Sequence, residues 1–515
     1  MVCVRYAPSP TGLQHIGGIR TALFNYLFAR SVGGGKFILR LEDTDRTRSD
    51  EAYVRNLYDT FAWLGIAWDE GPDRGGPHAP YVQSERSALY KQYAGELLAK
   101  GRAYHCFCSA GELEKLRREQ DHSAGSGTAY PGYNRRCRNI PDEESRRRAG
   151  EGEAFTVRLK IPLEEAGAAA LTRFNDKLLG DIEWRNADIN PDPVLLKSDG
   201  FPTYHLANVV DDHLMGITHV LRAQEWISST PLHVILYGAF GWEPPVFCHL
   251  PMVMGQDGKK LSKRHGATSI DEFRLQGCLP GALINYIALL GCSYEEGKDI
   301  YTVEELSRLF SLEKLNKAPA VFDYKKLEWY NGRYIRMTSD EELAELTLPR
   351  AVEQNLFGTA DAGGDLPPGA QPPRGPSAEE RALYTAAMPL VRERANFLRE
   401  IPAKLGYLFR EPPVPAAEEF IPKKSGPAEA LGLLKMGREL LPALAAAESD
   451  GEAEELVKAR AQAEQVKLGD LLMPLRTALT GSRVSPPLFL SIRLLGAERC
   501  LKRIDRALAS LEGRR

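Results

Sequence analysis

The first 65 residues alternate between strand and helix patterns, and this alternation limits the fold more than any other feature of the chain. An apolar run over residues 2–6 is typical of a short buried strand. Residues 8–12 contain two prolines and a glycine, which exclude a regular element and force a turn. Helical spacing follows over 17–31, a strand pattern over 37–41 and a second helix over 51–64. This order predicts a parallel α/β sheet.

The turn after the first strand places His15 at a predicted helix N-terminus. Free backbone N–H groups and the positive end of the helix dipole favour phosphate there, and an imidazole can add a directed hydrogen bond. An ordinary turn histidine is the alternative, and His15-Ile-Gly17 alone does not decide between the two.

A second basic segment lies about 250 residues further on. Lys260 and Lys263 flank Ser262, and Gly258 and Gly266 enclose the segment. A run of charges is usually a solvated surface. Glycine flanks allow a loop to move, however, and ammonium groups are point charges suited to phosphate. Together the two segments predict a binding site for a nucleoside triphosphate.

The motifs occur in a fixed order along the chain. They are Ala7-Pro-Ser-Pro-Thr-Gly12, His15-Ile-Gly17, Leu41-Glu-Asp-Thr-Asp-Arg46, Asp69-Glu-Gly-Pro72, Gln83-Ser-Glu-Arg86, residues 196–213, Leu221-Arg-Ala-Gln-Glu-Trp226 and Lys260-Leu-Ser-Lys-Arg264. This set resembles that of a bacterial-type glutamyl-tRNA synthetase of class I, closely over residues 1–340 and more loosely beyond. The resemblance implies ATP-dependent ligation of L-glutamate to the 3′ end of tRNA(Glu) through a glutamyl-adenylate, with release of AMP and pyrophosphate.

The expected fold is a Rossmann-like nucleotide-binding catalytic domain with an α+β insertion, followed by all-α stem-contact and anticodon-binding domains. The pattern and the resemblance together divide the chain at a set of boundaries. These are 1–85 and 193–255 for the two catalytic halves, 86–192 for the acceptor-binding insertion, 256–335 for the stem-contact domain and 336–515 for the helical anticodon-binding region, with a Gly/Pro-rich flexible loop at 358–377.

Glutamate carries an ammonium and two carboxylates, so its pocket needs fixed cations and at least one anion. The resemblance assigns the contacts to Arg5, Ser9, Glu42, Tyr204, Asn208 and Arg222. Arg5 and Arg222 would pair with carboxylates, Glu42 would hold the α-ammonium, and the others would complete the hydrogen bonds. Taken singly, each has an ordinary structural interpretation. An arginine near a strand start, for example, is usually a surface residue.

For ATP, the resemblance places His15 and Gly17 near the α- and β-phosphates and Lys260 and Lys263 near the β- and γ-phosphates. Glu225 resembles a position near the adenosine. The expected chemistry needs no protein nucleophile, because it consists of positioning and charge stabilisation. Mg²⁺ is expected with ATP, held by phosphate oxygens and water, so no protein ligand is assigned to it.

A separate cluster lies in the predicted insertion. Cys106 and Cys108 form a C-x-C pair, and Tyr133 and Cys137 follow with the spacing Y-x-x-x-C. Zinc prefers four ligands, usually sulfur and nitrogen, so a tyrosine would be an unusual fourth. The pattern resembles a structural zinc site of some family members. Three unrelated cysteines in a reducing cell are the alternative.

Composition is ordinary for a soluble globular protein. The chain has 515 residues, 43% hydrophobic and 26% charged, with a formal net charge of −3 and eight cysteines. We expect several domains, a reducing cytoplasmic location, no membrane association and a monomer. The slight negative charge does not exclude tRNA, because a local basic patch can follow phosphates on an acidic protein.

The C-terminal third is helix-patterned, whereas glutaminyl enzymes of the same subclass end in β-barrels. Arg394 resembles a position that helps to read the anticodon. The ligase is the leading one of three interpretations. Intact His15, Lys260, Lys263 and Glu225 argue against a tRNA-binding paralogue that has lost catalysis. Relatives that glutamylate a modified tRNA base lack the anticodon-binding half, which residues 336–515 supply here. Charging of tRNA(Gln) in addition to tRNA(Glu) stays open.

Overall fold

A computed structural model of the protein divides it into two compact units. The first contains Met1–Phe273 and Leu283–Tyr324, and the second contains Arg274–Ala282 and Lys325–Arg515. The residues that the structure describes are 1–44, 50–122, 133–165, 168–358, 374–423 and 425–512. Most of the loop predicted at 358–377, and the last two residues of the motif Leu41–Arg46, lie outside the described residues.

The strands are short and belong to the first unit. Those of the described residues are β1 (Cys3–Tyr6), β2 (Lys36–Leu39), β3 (Ala103–Cys106), β4 (Thr156–Leu159), β5 (Glu164–Glu165), β6 (Ala168–Ala169), β7 (Leu171–Asp176), β8 (Gly180–Arg185), β9 (Val194–Leu196), β10 (His219–Ala223), β11 (Val246–Leu250), β12 (Val253–Met254) and β13 (Ala320–Val321).

Helices occur in both units and make up the regular structure of the second. Those of the described residues are α1 (Ile16–Ser31), α2 (Glu51–Leu64), α3 (Ser87–Ala99), α4 (Ala110–His122), α5 (Asp142–Gly150), α6 (Tyr204–Leu214), α7 (Thr230–Phe240), α8 (Ile270–Gln276), α9 (Pro280–Ala288), α10 (Val303–Leu309), α11 (Tyr324–Met337), α12 (Asp340–Glu353), α13 (Ala378–Ala386), α14 (Met388–Arg392), α15 (Ile401–Phe409), α16 (Pro427–Ala446), α17 (Asp450–Ala463), α18 (Leu468–Thr480), α19 (Leu488–Leu495) and α20 (Ala497–Glu512).

Parallel strands form the centre of the first unit. β1 pairs with β2 in parallel, with Val4 opposite Phe37, and β10 pairs with β11 in parallel. The backbone N–H of Thr218 donates to the carbonyl of Cys3 at 2.9 Å, so β1 also adjoins the start of β10. Helix α1 packs on β1, β2 and β10 with a nearly continuous apolar surface. The parallel α/β arrangement predicted for the N-terminal residues is confirmed.

The middle of the chain contributes antiparallel pairs, partly in a separate sheet. β3, β4 and β9 form an antiparallel sheet. The β7–β8 hairpin continues the β10–β11 sheet, because Asp176 at the end of β7 lies opposite Phe247 on β11. Strands on both sides of residue 193 therefore share sheets. The domain boundaries given above stay a prediction.

The second unit is a helical assembly around one apolar core. This core includes Ile335 on α11, Leu405 on α15, Leu441 on α16 and Ile504 on α20, all fully buried. No helix in the described part of the chain is both long enough and apolar enough to cross a bilayer. The helical C-terminal region expected from the sequence is confirmed for its described residues.

Candidate active site

The predicted site residues follow the carboxyl ends of parallel strands. Glu42 comes shortly after β2, Glu225 shortly after β10, and His15 ends the turn after β1. Arg222 lies on β10 and Arg5 on β1. In open α/β sheets this edge is where ligands bind, because the strand ends and the following helix N-termini converge there.

His15 caps helix α1 with its own side chain. The Nδ1 atom accepts hydrogen bonds from the backbone N–H groups of Gly17 at 3.1 Å and Gly18 at 3.3 Å. A Cβ atom at Gly17 would lie 3.2 Å from the imidazole Cε1, and one at Gly18 would lie 2.9 Å from the Tyr6 hydroxyl. Glycine at position 17 therefore leaves room for the ring over the helix end, and glycine at position 18 leaves room for the Tyr6 hydroxyl. Because Nδ1 accepts, the proton of the neutral ring resides on Nε2, which can donate to a ligand.

Backbone bonds join the His15 turn to the segment after the basic loop. The N–H of Ile16 donates to the carbonyl of Thr268 at 3.1 Å, and the N–H of Ile270 donates to the carbonyl of Gln14 at 3.0 Å. The side chain of Asn56 accepts from the N–H of Gln14 and donates to Asp271 at 2.6 Å. The two motifs are thus about 250 residues apart in the sequence but neighbours in the fold.

The basic loop lies beside His15. Lys260 Nζ donates to Glu225 Oε2 at 2.6 Å, and both side chains are largely exposed. The pKa of His15 is lowered, first because the surrounding protein desolvates the ring and then because of the charge of Lys260, while Glu225 opposes this shift. Lys263 is exposed in a short 3₁₀ turn at Lys263–His265. His15 and Lys260 are therefore near enough for their charges to interact, and Lys263 lies exposed three residues further along the same loop.

Behind the turn lies a buried network of opposite charges. Arg5 donates to Asp212 through Nε at 3.1 Å and through Nη2 at 3.3 Å. Arg40 donates to Asp212 at 2.7 Å and to Glu42 Oε1 at 3.0 Å, and Asn208 also donates to Oε1. Neither bond to Glu42 uses Oε2. Burial raises the pKa of Glu42 and Arg40 opposes the rise, so an added ammonium group would favour its ionised form.

Arg222 is held in a different way. Its guanidinium donates to the Tyr204 hydroxyl at 3.2 Å, to the Thr230 hydroxyl at 2.8 Å, to the Trp226 carbonyl at 3.2 Å and to His249 Nε2 at 3.1 Å. Within the described residues, the hydrogen-bond partners of this guanidinium are neutral. A cation that is fixed without a carboxylate partner can receive a substrate carboxylate.

The predicted pocket residues fall into two linked groups. Arg5, Glu42 and Asn208 belong to the buried charge network, and Arg222 belongs with Tyr204. The charge of Arg5 also acts on Arg222, which places the two groups side by side. Ser9 is exposed in the turn, where its carbonyl accepts from Thr11.

The cysteine cluster forms a compact group of donors. The Sγ atoms of Cys106, Cys108 and Cys137 all lie within 4.8 Å of one another, and those of Cys108 and Cys137 are 3.6 Å apart. Tyr133 is buried in the same cluster, and its hydroxyl accepts from the N–H of Cys137 at 3.4 Å. Burial raises the pKa of Cys106, but hydrogen bonds from Tyr133 and the Cys108 backbone outweigh it and lower that pKa. Burial and the charge of Cys106 raise the pKa of Cys108 to about 12.

In the second unit, Arg394 is exposed and donates to the carbonyl of Ser485 at 3.1 Å. Arg476 donates to the same carbonyl at 3.3 Å. Burial and then the charge of Arg394 lower the pKa of Arg476. Two guanidinium groups therefore meet at one point of this unit, and only Arg394 is among the residues predicted from the sequence.

Sequence reasoning missed the residues that hold the pocket residues in place. Arg40 and Asp212 orient Arg5 and Glu42, and His249 contacts Arg222. One available signal was the pair Asp211-Asp212 inside an apolar helical pattern, since carboxylates are rarely buried unless they are paired. His249 lies inside an apolar strand and is fully buried, a position that also requires a polar partner.

Comparison with known proteins agrees with this arrangement. Residues 1–329 match the family described as tRNA synthetases class I (E and Q), catalytic domain, and residues 342–508 match the family described as anticodon binding domain. The glutamate–tRNA ligase of Treponema denticola is 56% identical over 512 residues, with 99% of both chains covered. That of Thermus thermophilus is 46% identical over 512 residues, covering 99% of this chain and all of the relative.

A solved structure agrees over the same length. The crystal structure of a glutamate tRNA ligase from Elizabethkingia meningosepticum, in complex with its amino acid, superposes with a TM-score of 0.84 at 33% identity, covering 99% of each chain. The fold and the site therefore define a class I tRNA synthetase, with a Rossmann-like catalytic domain and a helical anticodon-binding region. Within that class, the chain belongs to the glutamate–tRNA ligase family.

Proposed function

We propose that this protein joins L-glutamate to the 3′ end of tRNA(Glu) at the carboxyl edge of its parallel sheet, using ATP and a glutamyl-adenylate intermediate. One observation carries the assignment of the site. The guanidinium of Arg222 is buried with neutral partners, one of which is the Tyr204 hydroxyl, and the charge of the buried Glu42 carboxylate acts on that same tyrosine. The His15 helix end and the Lys260 loop adjoin each other at the carboxyl edge of the parallel strands. These groups match the charges of glutamate on one side and of a triphosphate on the other.

The first step forms one bond and breaks another. An oxygen of the glutamate α-carboxylate attacks the α-phosphorus of ATP, and the bond to the leaving pyrophosphate breaks. In the second step, a hydroxyl of the terminal ribose of the tRNA attacks the acyl carbon, and AMP leaves. The protein contributes position and charge, because the bonds form between substrates.

In the glutamate pocket, Arg222 and the Nη1 group of Arg5 bind carboxylates, and the free oxygen of Glu42 accepts from the α-ammonium. Tyr204 and Asn208 are fixed by hydrogen bonds to Arg222 and Glu42, so they present their remaining polar atoms in one orientation. Ser9 lies in the turn after β1 and supplies a further hydroxyl.

At the phosphates, His15 donates from Nε2 and Gly17 leaves room for close approach. Lys260 exchanges its bond with Glu225 for the β- and γ-phosphates, and Lys263 adds a second ammonium. Glu225, freed in this way, lies near the adenosine. Charge that moves onto the phosphate oxygens is stabilised by donors that are already in place. Mg²⁺ would accompany ATP and offset the charge of its phosphates, and no residue of this chain is assigned to it.

The cysteine cluster suits a structural zinc ion. Three sulfur donors within 4.8 Å of one another and a buried tyrosine hydroxyl supply four ligands, Cys106, Cys108, Cys137 and Tyr133. Zinc takes four ligands in structural sites and binds thiolates, so it would remove the proton that the raised pKa of Cys108 otherwise retains. A zinc ion bound there would hold the C-x-C turn against the segment that contains Cys137.

The helical second unit is proposed to bind the anticodon region of the tRNA, with Arg394 among its contacts. The exposed guanidinium beside Arg476 supports this role, because neighbouring positive charges attract the nucleic-acid backbone. That this enzyme is monomeric and located in the cytoplasm stays a prediction from the sequence.

The decisive experiment is a charging assay with purified tRNA(Glu) and tRNA(Gln). We expect glutamate to be attached to tRNA(Glu) in the presence of ATP, and not after periodate has oxidised the terminal ribose. A catalytically inactive paralogue would release no pyrophosphate. An enzyme that modifies a tRNA base would still label periodate-treated tRNA, which would contradict the proposal.

A matched pair of loop variants tests the phosphate site. Lys263→Met should lower charging by about 10²–10³, because a donor to developing charge is lost. Lys259→Met removes a neighbouring exposed ammonium that has no assigned role, and it should leave charging within a few-fold of the wild type. Equal effects of the two substitutions would indicate that only the net charge of the loop matters.

A further inference from the structure

A buried aspartate–histidine pair lies directly behind Arg222. His249 on β11 donates from Nδ1 to Asp176 Oδ2 at 2.6 Å, and the backbone N–H of His249 donates to the same oxygen at 3.0 Å. Asp176 Oδ1 accepts from the N–H groups of Leu178 and Leu179 at 3.0 and 2.9 Å. Both side chains are completely buried. Four N–H donors therefore surround one carboxylate, an arrangement that favours its ionised form.

This arrangement fixes the proton of His249. Asp176 can only accept, so Nδ1 carries the hydrogen and Nε2 carries the lone pair. Arg222 can only donate, and its Nε group donates to this Nε2 at 3.1 Å. Burial lowers the pKa of His249, which agrees with a neutral ring. One tautomer therefore satisfies both neighbours, and the opposite tautomer would place two N–H groups against each other.

As a result, the guanidinium of Arg222 is held in one orientation, but no carboxylate of the described residues contacts it and neutralises its charge. The negative charge of Asp176 is separated from the guanidinium by one imidazole, whereas Arg5 contacts Asp212 directly. Arg222 is thus held at Nε by a neutral acceptor and at Nη2 by Thr230 and Trp226. Its charge remains available for a ligand.

We propose that Asp176 and His249 are positioning residues, which hold Arg222 in the orientation that binds a glutamate carboxylate and so set the affinity for this substrate. The inference rests on the proposed function, because it assumes that Arg222 contacts glutamate. It adds to that function the β7 strand, which supplies Asp176 and lies in the region that the sequence assigned to the insertion.

The test uses the full-length enzyme and four variants. Asp176→Asn removes the negative charge and replaces one of the two acceptor oxygens by an amide donor, so either His249 or the N–H groups of Leu178 and Leu179 lose their acceptor. His249→Leu removes the acceptor for Arg222, whereas His249→Gln can return an amide oxygen near the position of Nε2. Arg222→Leu tests the proposed contact itself. KM for glutamate, KM for ATP and kcat are measured in tRNA charging, with melting temperature and circular dichroism as measures of folding.

For Asp176→Asn and His249→Leu we expect KM for glutamate to rise about 10- to 100-fold, the effect of weakening a hydrogen bond to a charged group. KM for ATP should stay within about threefold of the wild type, since Arg222 lies outside the phosphate site. His249→Gln should restore most of the glutamate affinity that His249→Leu loses. A merely structural role would move both KM values and the melting temperature together and would show no rescue by glutamine.

The outcomes distinguish the proposed contact between Arg222 and glutamate from the positioning role of Asp176 and His249. If Arg222→Leu leaves KM for glutamate unchanged, the proposed role of Arg222 is wrong. If Arg222→Leu raises it but Asp176→Asn and His249→Leu do not, only the positioning inference is wrong. If Asp176→Asn fails to fold, the two His249 variants decide, and glutamine behaving like leucine at that position would overturn the inference.

Discussion

At the scale of single residues, the pocket depends on buried charges, and most of these lie in contact with a charge of opposite sign. Arg5 and Arg40 share Asp212, and Arg40 also contacts Glu42. Removing one member of such a group leaves an uncompensated charge away from water, and this costs far more than losing a surface pair. Arg222 is the exception, because the residue that faces it is a neutral histidine.

Asp212→Asn should destabilise the first unit by about 3–5 kcal/mol, because two buried guanidinium groups lose a shared carboxylate. Glu183→Gln, which breaks the exposed pair with Arg173, should cost at most about 1 kcal/mol. Urea unfolding followed by tryptophan fluorescence measures both, since Trp68 and Trp184 lie in this unit. Similar losses in the two variants would contradict the buried network.

The lowered pKa of Asp212 predicts that the stability of the first unit depends on pH. Burial raises the pKa of Asp212, but Arg5 and Arg40 outweigh it, so its pKa lies below the ordinary value of 3.8. A carboxylate with a lowered pKa stabilises the folded state above its unfolded pKa and loses that contribution as the pH falls towards the folded value. The stability difference between wild type and Asp212→Asn should therefore be constant near neutral pH and shrink below about pH 4. A difference that persists unchanged in acid would contradict this assignment.

At the scale of elements, two short segments outside the sheet bring potential ligand-binding groups together: the N-terminus of α1 and the turns that contain the cysteine cluster. The N-terminus of α1 is capped by Nδ1 of His15, which leaves Nε2 of the same imidazole for the bond to phosphate that we propose. The C-x-C turn after β3 and the 3₁₀ turn at Arg136–Asn139 meet at the Cys108–Cys137 sulfur pair, next to the buried Tyr133, and Arg136 donates to the Cys108 sulfur at 3.2 Å. In each segment the same side chains can serve both the local fold and the binding of a ligand or a metal ion.

His15→Asn and His15→Ala separate capping from phosphate binding. Asparagine is a good N-cap, so His15→Asn should keep the stability of α1, whereas His15→Ala should lose about 1 kcal/mol. Both variants lose the Nε2 donor and should charge tRNA about 10²–10³ more slowly. Melting curves and charging rates measure the two effects. A wild-type rate in His15→Asn would remove His15 from the phosphate site.

Purified protein should contain close to one zinc ion per chain. Cys106→Ser should lose the metal, because a serine hydroxyl is a poor ligand for zinc. Cys278→Ala, which alters a buried cysteine outside the cluster, should retain it. Elemental analysis of protein prepared without chelator measures the content. Zinc that persists in Cys106→Ser, or is absent from the wild type, would contradict the proposed site.

At the scale of the whole molecule, the two units do not divide at a single point of the chain. Arg274–Ala282 belongs to the second unit although the residues on either side belong to the first. Leu279 and Ala282 are part of the helical core, and the N–H of Leu279 donates to Asn331 at 2.7 Å. A cut after the first unit therefore removes the partners of a segment that remains.

A chain that ends at residue 324 should expose Leu279 and Ala282 and bind more of the dye ANS than the full-length protein, because an exposed apolar patch recruits such ligands. Leu279→Ser in the truncated chain should reduce the binding. Fluorescence at equal protein concentration measures it. Truncated protein with no more dye binding than the intact chain would show that this segment folds without the second unit.

The sequence by itself determined the alternating elements, the order of the motifs and the family. Local spacing and turn residues set these features, so the strand near residue 3, helix α1 and the helical C-terminal region follow from short stretches of chain. The ordered motifs also predicted a set of residues that face the substrates. Three of those, Arg5, Glu42 and Asn208, are linked through buried contacts.

Only the tertiary structure decided which residues hold the pocket residues in place. Asp212 lies more than 200 residues from Arg5, and Asp176 lies 73 residues from His249. Nothing in the local pattern pairs them, because an ion pair or a tautomer depends on which strands and helices adjoin. The same is true of Arg274–Ala282, whose assignment to the second unit depends on the packing of Leu279 and Ala282 in the helical core. Local chemistry selects the elements, and the burial of charge and apolar surface between distant segments selects their partners.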